Sequence, residues 1–156
     1  MKKILFILLA VIIFQGVHPL SAENNVDVDF NALSHYYLNP QPDKVPAQLE
    51  QLITSEMFAK DEDFRKHGAY NAAYLFGRIA QLDSSLIEKY EDIFKKASHE
   101  GRGFILKIFQ LCGDEQVKDF LAAKLNDKNF YNEKEEISKI IKMGIPTRFN
   151  PLDTEV

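Results

Sequence analysis

The chain has 156 residues and a formal net charge of −4. That is enough for one domain and the wrong sign for a general nucleic-acid binder, which presents a basic surface. Twelve Phe and six Tyr, with no Trp, can fill a core, and the single Cys112 excludes an intramolecular disulfide.

At the start, Lys2 and Lys3 precede an unbroken apolar run over 4–14, followed by Gly16, Pro19 and the small pair Ser21-Ala22. This is the pattern of a cleaved secretory signal, and the run is short of the about 20 apolar residues that span a membrane. Residues 1–22 are therefore expected to be a signal peptide cleaved after Ala22. The product would be periplasmic or secreted, with no lipid-anchor Cys near the cut and no stable membrane anchor. Losing Lys2 and Lys3 leaves the remainder more acidic than the whole chain.

Residues 23–42 read as an N-terminal segment. Asp29 is placed to cap a short helix over 30–38 with Leu33, Tyr36 and Tyr37 on its apolar side. Asn39-Pro40-Gln41-Pro42 then holds the backbone extended.

No proline occurs from 47 to 145, and apolar residues recur at helical spacing, so 43–144 is predicted to be a helical repeat domain. Asp43 is expected to cap a helix that carries Pro46 in its first turn, buries Val45, Leu49, Leu52 and Ile53, and ends near Ala59. Asp61, Glu62 and Asp63 put negative charge at the start of the next helix, 63–82. There Ala69, Ala73 and Gly77 recur every four positions. An interior Gly costs about 1 kcal/mol relative to Ala, which a close helix crossing would offset. Asp83 or Ser84 caps a helix running to about Ala97, with Leu86, Tyr90, Ile93 and Phe94 inward. Gly101 and Gly103 mark a turn into helix 104–112, apolar on most sides and hence central. Gly113 ends it. Asp114 caps the next helix, with Val117, Phe120, Leu121 and Leu125. A polar loop over 126–132 holds Phe130 and Tyr131, a last helix covers 133–143, and 145–156 reads as a flexible tail.

One stretch recurs. Residues 75–82, Leu-Phe-Gly-Arg-Ile-Ala-Gln-Leu, return at 104–111 as Phe-Ile-Leu-Lys-Ile-Phe-Gln-Leu and more faintly at 136–143 as Glu-Ile-Ser-Lys-Ile-Ile-Lys-Met. The helices preceding these share one apolar spacing: Val45, Leu49, Leu52, Ile53, then Leu86, Tyr90, Ile93, Phe94. Helix pairs repeating at such intervals are the mark of a solenoid. Over 43–143 the chain resembles helical-hairpin repeat proteins of the HEAT or tetratricopeptide kind. Gly68-Ala69-Tyr70 and Ala72-Ala73-Tyr74 suit tetratricopeptide packing, while that family's Trp, Leu-Gly pair and closing Pro are absent. The expectation is an all-α fold, a short right-handed stack of about three antiparallel helical hairpins with an N-terminal capping helix. An irregular helical bundle carries much of the same pattern.

Catalytic signals are sparse. His99-Glu100 lacks the second His of a zinc-protease motif, and neither a Gly-x-Ser-x-Gly elbow nor a phosphate-binding glycine loop occurs. Cys112 sits among Phe and Ile, which disfavour a reactive thiolate. Acid pairs at Asp61/Asp63 and Glu135/Glu136 read as helix starts, and Asp61-Glu62-Asp63 lacks a calcium-loop pattern. No catalytic residue, metal ligand or cofactor is assigned. The candidate binding residues lie on the recurring helices: Asn71, Tyr74, Arg78 and Gln81 on the first, Lys107 and Gln110 on the second, Lys139 (with Lys142) on the third. Residues three apart share a face, so stacked helices would line up a ladder of cations and amides able to grip an acidic segment or terminus of another protein. The competing account is a solvated face, because cations on helices about 8–10 Å apart are nearly screened from one another. Tyr36, Tyr37 and the 39–42 loop would close one end of the stack. The expected function is an exported, non-enzymatic protein-interaction module that binds a protein or peptide segment and no nucleic acid. The alternatives are a small envelope enzyme whose acids converge on His67 or His99, and an apolar-ligand carrier with a cavity near Phe76, Phe104 and Phe109.

Overall fold

A computed structural model describes residues 28–143, and no strand occurs among them. The expected signal peptide and the 145–156 tail lie outside the described residues. The elements are α1 (Phe30–Ser34), α2 (Val45–Thr54), α3 (Glu56–Lys60), a π-turn (Phe64–Gly68) running into α4 (Ala69–Leu82), α5 (Ser85–Lys96), α6 (His99–Cys112), α7 (Glu115–Lys124), a 3₁₀ segment (Lys128–Glu133) and α8 (Lys134–Lys142). No described helix is long and apolar enough to cross a membrane. The chain is all-α, as expected.

Several boundaries follow from side-chain caps. The carboxylates of Asp29, Asp114 and Asp127 accept bonds from the backbone N–H groups of Ala32, Gln116 and Asn129. Asp83 accepts from both the N–H and the hydroxyl of Ser85. Each satisfies a donor that the first helical turn leaves open. Gly113 takes the left-handed conformation, φ 64°, and ends α6.

Four expectations at the level of helix ends are corrected. Asp43 does not cap α2, which starts after Lys44 with no side-chain cap. The helix expected to reach Ala59 breaks at Ser55, whose backbone is extended. Ser55 Oγ donates to the carbonyl of Leu52 and accepts from the N–H of Phe58, ending one helix and starting the next. Gly101 and Gly103 lie inside α6 rather than in a turn. Ser98 Oγ accepts from the N–H of Gly101 and starts the helix at His99, a stronger start signal than either glycine. Most of the expected 126–132 loop is the 3₁₀ segment, which runs on to Glu133 and buries Phe130 and Glu133.

α4 and α6 form the central pair. Phe104, Ile105, Leu106, Ile108, Phe109 and Cys112 are all buried, so α6 is interior on most of its surface. A Cβ on Gly77 would lie 3.1 Å from Leu111 Cβ, 3.2 Å from Ile108 O and 3.3 Å from Cys112 N. That is the close crossing the glycine implied. Around this pair, α2 packs on α5 and α5 on α7, while α6 also meets α8. Phe94 anchors an aromatic cluster, stacked on Phe130 with centroids 5.2 Å apart and in contact with Phe109 and Phe120. Such ring pairs add about 0.5–1.5 kcal/mol each beyond the area they bury. At the other end α1 packs on α4, with Leu33 and Tyr36 buried and the Tyr36 hydroxyl donating to Asp83.

Candidate functional site

The ladder residues do not behave alike. Arg78 donates to Gln81 Oε1 at 2.6 Å, and Gln81 Nε2 donates to the carbonyls of Leu111 and Cys112 at 3.0 Å each. These carbonyls belong to the last turn of α6, where the helix itself offers no partner. The Gln81 amide is therefore a cap supplied by a neighbouring helix. One step along, Lys107 donates to Gln110 Oε1 at 3.3 Å and Gln110 Nε2 points at Met143 Sδ, 3.8 Å away at the end of α8. On the first two motif helices the repeated basic-and-Gln spacing thus turns the amide towards the end of the next helix, onto backbone carbonyls for Gln81 and onto the Met143 side chain for Gln110. On the third helix Lys139 pairs with Glu135 at 2.8 Å within α8. Asn71 and Tyr74 are exposed on α4.

Of these residues Lys107 also lines a cleft between helices. It has a volume of about 650 Å³, within the about 300–1,000 Å³ of ligand pockets. The cleft lies where the N-terminal part of α6 faces α3, the π-turn and the start of α4, with Glu136 of α8 at one side. Ile53, Phe58 and Phe104 form an apolar floor, with the Phe58 and Phe104 rings edge-to-face at 5.3 Å. A Cβ placed on Gly103 would meet nothing within 4 Å. The glycine leaves space on the cleft wall.

Four charged side chains line this space: Arg65, Lys107, Glu100 and Glu136. Their states differ. Glu100 is held below its usual range, chiefly by a bond to its own backbone N–H and also by the Ser98 hydroxyl. It is engaged by the start of α6. Around Arg65 the neighbouring basic side chains meet acids four residues earlier: Lys60 with Glu56, Lys66 with Glu62, and the His67 ring with Asp63. The acid at that position for Arg65 is Asp61, and its carboxylate instead accepts the Phe64 N–H. Among the described residues neither Arg65 nor Lys107 forms an ion pair. The ammonium of Lys107 lies 5.7 Å from the centre of the half-exposed Tyr70 ring.

A second polar group sits beside the cleft. His99 Nδ1 is 2.9 Å from Oε1 of Glu133, a carboxylate that is only 3% exposed. Arg102 approaches the same oxygen at 3.8 Å while stacking on Phe130 and donating to the carbonyls of Phe94, Lys95 and Asn129. Glu133 Oε2 has no partner among the described residues. The hydrogen bond to Glu133 raises the pKa of His99 above its ordinary value. His67 meets Asp63 at 3.1 Å on the open surface, as an ordinary helical pair.

The cavity sought near Phe76, Phe104 and Phe109 resolves into two environments. Phe76 and Phe109 are enclosed in ring contacts with Tyr90 and with Phe94 and Phe120. Phe104 reaches the cleft. Among the described residues no cluster of three or more potential metal ligands occurs. Sequence spacing singled out Lys107 but missed Arg65, Tyr70 and Gly103, which converge only through the α4–α6 packing. The one local signal was the use of Asp61 as a cap, which leaves Arg65 without its helical acid. No protein-family model, curated protein or solved structure matches the chain.

Proposed function

We propose that this chain is an exported, non-enzymatic interaction module that receives a segment of another protein in the cleft between the α3–α4 corner and α6. The observation that carries this reading is the cleft itself, with its apolar floor and two cations that form no ion pair among the described residues. Buried apolar contact surrounded by a few directed polar groups is the composition of a recognition site. Export rests on the signal pattern of residues 1–22. A photo-crosslinking amino acid at position 70 tests the site in living cells, with position 131, a more exposed tyrosine on the 3₁₀ segment, as the control. A discrete adduct from 70 and none from 131 is expected. Equal labelling from both positions would remove the cleft as the site. N-terminal sequencing of the exported protein should begin at Glu23.

A small envelope enzyme is the second reading, and the His99–Glu133 contact favours it, because a buried carboxylate orients the imidazole. If the pair serves chemistry, His99→Ala leaves capture through position 70 intact and lengthens the life of the adducted partner. An unchanged lifetime assigns the pair to holding α6 against the 3₁₀ segment.

A further inference from the structure

Resting on that reading of the cleft, we infer that it selects a peptide segment in which an aromatic or branched aliphatic side chain stands beside carboxylates. The apolar residue is received against Phe58 and Phe104 in the space left by Gly103, and the acids are gripped by Arg65 and Lys107. Three observations carry this. The first is the vacancy at Gly103. Glycine is a poor helix former, and neither a positive φ nor a close neighbour requires it at this position. The room it leaves belongs to the same cleft as Ile53, Phe58 and Phe104, where an apolar side chain from outside gains by leaving water.

The second is charge. The whole chain is acidic, at −4, yet the cleft holds two cations that form no ion pair among the described residues. A guanidinium can bind a carboxylate through two parallel bonds, and the half-buried Lys107 adds a second positive group braced by Gln110 and Tyr70. Lys60 and Lys66 nearby are already paired, so the attraction is local to the cleft rather than general to that surface.

The third narrows the class of partner. Glu100 and Glu136 share the lining with the two cations. A polyphosphate, a nucleic acid or an anionic lipid surface brings several negative charges together and meets these carboxylates. Glu100 is engaged by the start of α6, but Glu136 opposes a further negative charge on its side. A peptide can carry its acids at one end only. Its acids should lie towards Arg65 and Lys107, and the end facing Glu136 should be neutral or basic.

The test is selection of a random dodecapeptide phage library on the full exported chain, with three baits: wild type, Arg65→Glu with Lys107→Glu, and Gly103→Leu. Wild type is expected to enrich an aromatic or aliphatic residue with Asp or Glu beside it. The charge-reversed bait should enrich Lys and Arg at the same place. Gly103→Leu, which replaces glycine by a better helix former and fills the vacancy, should lower recovery by at least about tenfold. Far-ultraviolet circular dichroism and melting of each bait exclude loss by unfolding, and Gly103→Ala provides a milder filling with a smaller loss. If wild type enriches apolar peptides without acids, or charge reversal changes nothing, the acidic selectivity is overturned while the cleft stands as the site. If Gly103→Leu leaves recovery unchanged, or no peptide is enriched on wild type, the cleft reading itself falls.

Discussion

The two ends of the α4–α6 pair use glycine for opposite purposes. At the C-terminal end Gly77 lets α4 approach the backbone of α6, with Ile108 O and Cys112 N so near that a Cβ there would be tightly crowded. At the N-terminal end Gly103 of α6 faces open space, and a cleft with a Phe58, Phe104 and Ile53 floor occupies the gap. The same residue type marks contact in one place and vacancy in the other. Composition and helix propensity assign both glycines one cost, and only the neighbouring helix separates them. A pair closed at one end and open at the other can be rigid where stability is needed and accessible where a ligand would enter.

Substitutions should separate the two ends by sign. Gly77→Leu forces a side chain against backbone and should destabilise by about 3 kcal/mol, the upper part of the overpacking range, measured by urea denaturation. A neutral result would mean the helices part easily there, and the closed end would lose its meaning. Gln81→Leu comes next. It removes the amide that satisfies two carbonyls at the end of α6 and should cost about 1–2 kcal/mol. At the open end, Gly103→Ala should stabilise by about 0.5–1 kcal/mol, because the new methyl meets no neighbour. Destabilisation there would indicate that the gap is closed in solution.

The smallest effect concerns pH. The folded pKa of His99 is raised, first by its hydrogen bond to Glu133. Its contribution to stability is therefore fully present below the ordinary histidine value of about 6.5 and is lost as pH rises through the raised folded value. The difference in denaturation midpoint between wild type and His99→Ala should shrink from mildly acidic to mildly alkaline buffer. A difference that grows with pH would contradict the contact.

Much of the helical organisation was readable because its causes are local. Asp29, Asp114 and Gly113 act within one turn of their own positions, and the apolar faces of α2, α5 and α6 recur at helical spacing. Gly77 was readable too, since an interior glycine among alanines has few explanations besides close approach. The errors at Ser55 and Ser98 share one origin. A serine hydroxyl within bonding reach of a backbone N–H decides where a helix starts, and glycine or charge in the vicinity is a weaker signal. The cleft was not legible for a different reason. Gly103 and Lys107 share one face of α6, but Arg65 and Glu136 come from two other elements, so the meeting of all four is a product of helix packing. The ladder motif was visible as a pattern, but its amide half has a structural use that spacing could not display: Gln81 bonds to residues 30 and 31 positions away.

That last bond has a consequence for how such a chain can change its length. The stop of α6 is signalled in part from α4, and the end of α8 faces an amide carried by α6. A residue inserted into the later turns of α6 would shift its terminal carbonyls along the axis by about 1.5 Å and around it by about 100°, away from Gln81. Insertions should therefore be tolerated in the connections between helices and rejected within the motif helices. A chain extended by copying the first hairpin would have to copy the glutamine as well, to keep the last carbonyls of the following helix bonded.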